Sequence, residues 1–194
     1  MSGPWLLASR ARRVLGAAVA VSAAAACWSP IQALADPAYG GTAPSASAGA
    51  TAPLSTAPGA RARLLRDGTA QAPASAPSTV QAVIAAGNRI ARLPYRYGGG
   101  HGNWNDTGYD CSGSVSYALH GAGLLRESVD ATGFFRYGLA GPGRWITLYS
   151  NNSHAFMVVA GLRFDTSGRS QTGSRWQVEQ RSPAGFVVRH PTGL

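Results

Sequence analysis

The chain has 194 residues, with 17 basic and 8 acidic side chains and a formal net charge of +9; all the basic residues are arginines. That balance suits a polyanionic surface, but the arginines are scattered singly and accompany no nucleic-acid motif, which argues against nucleic acid as the partner. Cysteine occurs only at Cys27 and Cys111, too few for a disulfide-built scaffold.

Arg10, Arg12 and Arg13 precede an apolar stretch from Val14 to Trp28, and Ala33-Leu34-Ala35 stands just before Asp36-Pro37. This is the pattern of a secretory signal peptide over residues 1–35 with an Ala-x-Ala cleavage site. The stretch is short and alanine-rich for a membrane span, which leaves membrane contact only through an uncleaved signal anchor. Ala24-Ala25-Ala26-Cys27 lacks the bulky residue of a lipoprotein box, and the Arg12-Arg13 pair is weak evidence for twin-arginine export. Loss of the leader removes Cys27 and lowers the basic excess from nine to six. The exported chain then carries one unpaired thiol, Cys111, in a compartment where thiols tend to be oxidised.

Residues 36–77 are dominated by Ala, Pro, Ser, Gly and Thr and are read as a disordered linker or wall-spanning tether, with Arg61, Arg63 and Arg66 as a solvated basic cluster. Residues 78–194 have globular composition and suffice for one small domain, expected to be monomeric.

Ser78 is a candidate N-cap for a helix carrying Val80, Val83, Ile84, Ala86 and Ile90, with Pro94 marking its end. Tyr95 to Gly100 reads as an extended segment running into a loop, His101 to Gly108. Asp110 is then a candidate N-cap for a second helix, with Val115, Ala118, Leu119 and Ala122 at helical spacing and a stop near Gly121 or Gly123. A loop rich in Gly and aromatics follows from Gly133 to Gly143. Strand-like runs cover Trp145–Tyr149, His154–Ala160, Leu162–Thr166 and Gly185–Arg189. Helices first and strands afterwards predict an α+β fold with an antiparallel sheet.

This order puts Cys111 in the first turn of a helix, where unpaired N–H groups and the positive end of the macrodipole favour thiolate over thiol. A thiol nucleophile needs a base. Of His101, His120, His154 and His190, His154 is best placed, at the start of an apolar strand; His101 falls in a loop and His120 on a helix surface. If Ala160-Gly161 forms a two-residue hairpin turn, Val159 faces Leu162 and Phe156 faces Asp165. Alternation then puts Asp165 on the His154 face as its diagonal neighbour, where a carboxylate can orient the imidazole. One extra loop residue would exchange Asp165 for Thr166. His190, ending the last strand, is the alternative for this third role. The His and Cys spacing gives no zinc pattern, and neither metal nor cofactor is expected.

Pro94-Tyr95-Arg96-Tyr97-Gly98-Gly99, then Gly108-Tyr109-Asp110-Cys111-Ser112-Gly113, then the strand opening at His154 closely resemble the NlpC/P60 family of cell-wall cysteine peptidases over roughly residues 78–194. The resemblance implies a papain-like α+β fold, with N-terminal helices packed on a small antiparallel sheet. Cys111 would attack and His154 act as base, while Tyr95 faces the thiol and, with Asp110 and Ser112, helps bind substrate. Members of the family typically cut the bond between D-glutamate and meso-diaminopimelate in peptidoglycan stem peptides, so the implied protein is a secreted endopeptidase of a bacterial wall. This chain differs from the family pattern in Gly143-Arg144-Trp145 before the His154 strand, in Ala155-Phe156 after His154, and in having Asp165 and Thr166 near the third polar position. The alternatives are an amidase or acyltransferase of papain-like fold acting on another envelope substrate, and an inactive wall-binding module.

Overall fold

The computed structural model describes residues 59–194 and the backbone of Thr56 and Ala57. The expected signal peptide, with Cys27, and most of the expected linker up to residue 58 lie outside the described residues.

Helix α1 spans Ser78–Ile90 and buries Val80, Val83, Ile84, Ala86 and Ile90 on one face. Its N-cap is Pro77 rather than Ser78, with no side-chain capping bond; proline's fixed φ sets the chain up for helix entry without one. Helix α2 spans Cys111–His120. Its buried residues are mostly small, with Ser112, Gly113, Ser114, Ser116 and Ala118 beside Val115 and Leu119. Small side chains let the helix lie close to its neighbours, and α2 packs both on α1 and across the sheet.

The sheet has six strands, formed by β4 (Leu139–Ala140), β5 (Ile146–Ser150), β6 (Ala155–Val159), β7 (Leu162–Phe164), β8 (Trp176–Gln177) and β9 (Val187–His190) in the order β4-β9-β5-β6-β7-β8. Every neighbouring pair is antiparallel. The architecture is therefore α+β, with helices packed on an antiparallel sheet. The four anticipated strands are present with ends shifted by at most two residues. Two short strands, β4 and β8, and the one-turn helix α3 (Arg169–Thr172) were not anticipated; two-residue strands carry too little alternation to be read. Alternate residues of the central hairpin, Ile146, Leu148, Ala155, Met157 and Val159, are buried in the core.

The hairpin between β6 and β7 has Val159 opposite Leu162 and Met157 opposite Phe164. Ala160 (φ 46°) and Gly161 (φ 85°) form its two-residue turn. Positive φ at both positions is the signature of a type I′ turn, whose twist matches that of the flanking strands.

The expectation of a disordered linker up to residue 77 needs correction over residues 59–77. Strand β1 (Thr56–Ala57) pairs parallel with β3 (Ala70–Pro73), and β2 (Arg63–Leu64) pairs antiparallel with it. Ala70, Ala72 and Ala76 are buried in the core, and Leu64 packs against it. Asn88 of α1 acts as a surrogate strand partner: its Nδ2 donates to Ala70 O and its Oδ1 accepts from Ala70 N, each at 2.8 Å. The Ala62 N–H also donates to Ala160 O at 2.8 Å. An alanine-rich segment looks too poor in apolar surface to order, but small side chains seated against a helix, with backbone groups paired, lower that requirement.

Candidate active site

Asp110 is the hinge of the site. Its Oδ1 accepts from Gly113 N at 2.7 Å, capping α2, and from Ser112 Oγ at 3.2 Å; its Oδ2 accepts from Gly98 N at 3.1 Å. The Asp110 N–H donates to Gly99 O at 3.1 Å. A Cβ on Gly113 would stand 2.1 Å from Gly99 O, so the first turn of α2 and the paired-glycine loop touch backbone to backbone. The two sequence motifs are therefore one structural unit, and Cys111 opens α2 beside it.

Arg175, just before β8, locks this unit from below. It is fully buried, and its donors reach Ser114 Oγ (2.8 Å), the carbonyls of Ile90 and Leu93 (2.6 Å each), Pro94 O (3.2 Å) and Tyr109 O (2.9 Å). Burial, with the nearby Arg169 charge, pulls its pKa down to about 10. The guanidinium thus ties the end of α1 to both chain segments that lead into the site.

Cys111 is half-buried and free. His154 precedes β6 and is held by Asn151, whose Oδ1 accepts from its N–H at 2.9 Å. The His154 Nε2–H donates to Asp165 Oδ1 at 2.9 Å, and the imidazole lies near enough to the Cys111 thiol for each to shift the other's pKa. With Nε2 engaged by Asp165, Nδ1 is the nitrogen left for the thiol. The Asp165 side chain is wholly buried and lies just beyond the Met157–Phe164 pair, on the His154 face as the turn length predicts.

These contacts set the protonation states. Burial alone would raise the Cys111 thiol, but the hydrogen bonds from His154 and the Ala155 N–H, with the imidazolium charge, outweigh it and bring the pKa below its ordinary value. Burial would lower His154, yet its bonds to Asp165 and Cys111 and their charges push it up to about 9. Asp165 is held well below the usual carboxylate range: burial opposes this, and the bonds from His154 and the Ser167 N–H prevail.

A cavity of about 350 Å³ opens over Cys111, lined by Tyr95, Asp110, Ser112, His101 and Asp130 among others. Tyr95 is 52% exposed. Burial and the neighbouring Cys111 raise its phenol pKa. His101, read only as a loop residue, sits at the cavity with Nε2 3.1 Å from Asp110 Oδ1 and 3.2 Å from Ser112 Oγ. The glycines on either side of it, Gly100 (φ 83°) and Gly102 (φ 76°), were the legible sign that the loop turns back on the motif. His190, the alternative third group, is engaged elsewhere: its Nδ1 donates to Gly141 O at 2.9 Å. His120 stacks on Trp104 with ring centroids 4.0 Å apart. Among the described residues no group of three or more His, Cys, Asp or Glu is arranged to hold a metal ion, and no helix is long and apolar enough to cross a membrane.

Fold and site together describe an α+β protein with a thiol at a helix start and, near it, an imidazole at a strand start that is hydrogen-bonded to a buried carboxylate. No protein-family model matches the chain, and no curated protein does. Among solved structures, the P60 domain of an antigen from M. avium subspecies paratuberculosis is similar, at 22% identity and a TM-score of 0.44, over 58% of this chain and 94% of that one. A likeness at that level carries no argument about chemistry, which rests on the residues themselves.

Proposed function

We propose that the chain is an exported cysteine endopeptidase of the NlpC/P60 type that cuts the D-glutamyl–meso-diaminopimelate bond of peptidoglycan stem peptides. What supports the reading is the His154–Asp165 hydrogen bond, with the imidazole beside the Cys111 thiol, and the cavity that Cys111 lines together with the motif residues Tyr95, Asp110 and Ser112. The family resemblance of those motifs supplies the substrate.

In the proposed reaction the Cys111 thiolate attacks the scissile carbonyl and forms a C–S bond. The oxyanion is met by N–H groups at the open start of α2. As the C–N bond breaks, the His154 imidazolium gives its proton to the leaving amine, which departs as the diaminopimelate product. Neutral His154 then takes a proton from water as the water attacks the thioester; the C–S bond breaks, releasing the D-glutamyl carboxyl product and restoring the thiolate–imidazolium pair. Asp165 stays ionised throughout and holds the ring.

The test is digestion of purified diaminopimelate-containing peptidoglycan, with fragments identified by mass spectrometry and Cys111→Ala as control. Fragments ending in D-glutamate, absent with the variant, are the expected result. Free stem peptides carrying an intact L-alanine terminus would instead identify an amidase, and intact peptidoglycan after treatment with folded protein would favour the wall-binding module.

A further inference from the structure

Asp165 has a second oxygen, and the imidazole does not use it. Asp165 Oδ2 accepts from Arg181 Nη1 at 3.1 Å. Arg163 Nε stands 3.7 Å from the same oxygen, but the Arg163 Nε and Nη2 hydrogens are directed to Gln177 Oε1, so Arg181 supplies the hydrogen bond. Arg181 belongs to the irregular segment 178–186 between β8 and β9. What holds it there is aromatic: the guanidinium carbon lies 5.1 Å from the Phe156 ring centroid and 5.3 Å from that of Phe186, and the two rings meet edge to face at 5.2 Å. Arg181 also reaches Ser167 Oγ at 3.3 Å, whose own N–H donates to Asp165 Oδ1 at 2.9 Å.

We propose that Arg181 is the positioning residue that keeps Asp165 ionised and oriented toward His154, delivered by the 178–186 segment and held against the paired rings of Phe156 and Phe186. The inference rests on the reading of Cys111, His154 and Asp165 as a working series. A wholly buried carboxylate with one imidazolium neighbour is costly to keep charged, and a fixed guanidinium on its free oxygen offsets that cost. The Phe156–Phe186 pair makes the arginine part of the built site, since cation–π contacts restrain it where a surface ion pair would wander. Phe156 also stacks toward His154, at 6.1 Å between centroids, so ring and arginine are set by one side chain. The charged and titratable groups converging on Asp165 are His154 from just before β6, Arg163 from β7 and Arg181 from the 178–186 segment, with Cys111 of α2 beyond the imidazole. Loss of Arg181 would also ease repulsion on the imidazolium. Arg181 sits on the oxygen that His154 does not contact, however, so the carboxylate feels the loss more.

The experiment measures the rate of Cys111 alkylation by iodoacetamide against pH in the full chain. It is read on the Cys111 peptide by mass spectrometry because Cys27 also reacts. Wild type is compared with Arg181→Gln, Arg181→Lys and Phe186→Leu. Arg181→Gln is expected to move the acidic limb up by about one pH unit, a roughly tenfold slower reaction below it; Arg181→Lys, which keeps the charge, holds the wild-type limb; Phe186→Leu shifts it part of the way. Superposition of the Arg181→Gln and wild-type profiles, or an equal shift in Arg181→Lys, would overturn the proposal. If Arg181→Gln loses its far-ultraviolet circular dichroism, an unshifted Phe186→Leu profile overturns it instead. A wild-type thiol that ionises like a free cysteine would sink the reading of the site itself, which no Arg181 result can do.

Discussion

Protonation of Cys111 and His154 is linked, and pH is the lever on both. His154 is raised to about 9, so its ionic contribution is complete below the ordinary value of 6.5 and is lost as pH rises through about 9. Asp165 is depressed, so its contribution is present above about 4, the ordinary carboxylate value, and is lost only as pH falls through its lower folded value. The imidazolium–carboxylate pair therefore spans the neutral range, and kcat/KM is expected to fall on the alkaline side with an apparent pKa of about 9. A stopped assay on peptidoglycan fragments from pH 5 to about pH 10 checks this; an alkaline limb near the value of a free imidazole would count against the ion pair. Asp165→Ala is expected to lower kcat by about 100-fold or more with KM little changed. At this scale much of the candidate site was readable. Cys111 follows from helix-start chemistry, His154 from its strand, and Asp165 from counting across a two-residue turn. His101 was signalled only by its flanking glycines, and Arg181 by nothing, because it reaches the site from an irregular segment that carries no periodicity.

The element that aims the thiol is the first turn of α2, and its position is set by backbone contact and by one arginine. Gly113→Ala would drive a Cβ to 2.1 Å from Gly99 O, and neither backbone has room to retreat. A loss of about 1–3 kcal/mol of stability is expected, with a fall in Cys111 alkylation rate in whatever fraction remains folded; denaturant melts with m-values held constant check it. Arg175→Met removes five buried or part-buried hydrogen bonds at once, and among the groups it deserts are the carbonyls of Leu93 and Tyr109. That is expected to cost about 3 kcal/mol or more, seen as a lowered denaturation midpoint. The glycines and Asp110 were legible as a motif before their contacts were known, since such a pattern reports a tight approach. Arg175 was illegible, because a buried arginine satisfied almost wholly by carbonyls has no signature in composition or spacing. The β6–β7 turn was legible from its length alone, even though its first residue is Ala160 rather than the usual Asn, Asp or Gly.

At the scale of the whole molecule, the domain begins before the first helix. Strand β3 packs on α1, and Asn88 pairs with Ala70 at both N and O, so a chain starting at residue 78 loses a layer that its core expects. Truncation to residues 78–194 is expected to lower Tm by about 10 °C relative to residues 50–194, measured by circular dichroism; equal melting would show the layer to be dispensable. Composition hid this layer. A run of Ala, Pro, Ser and Gly reads as linker because side-chain volume is what such a reading weighs, whereas here close packing of alanines and paired backbone groups hold the segment. The order of helices before strands was enough to give the α+β class, since the antiparallel hairpins need only short connections.

Cleavage after D-glutamate by Cys111 can be followed on a single defined peptide. L-alanyl-γ-D-glutamyl-meso-diaminopimelate is incubated with wild type and with Cys111→Ala, both verified as folded, and free diaminopimelate is quantified over time. Release by wild type and none by the variant is the predicted result. Release that persists in Cys111→Ala, or its absence from a wild-type protein whose Cys111 is alkylated rapidly at neutral pH, would contradict the account.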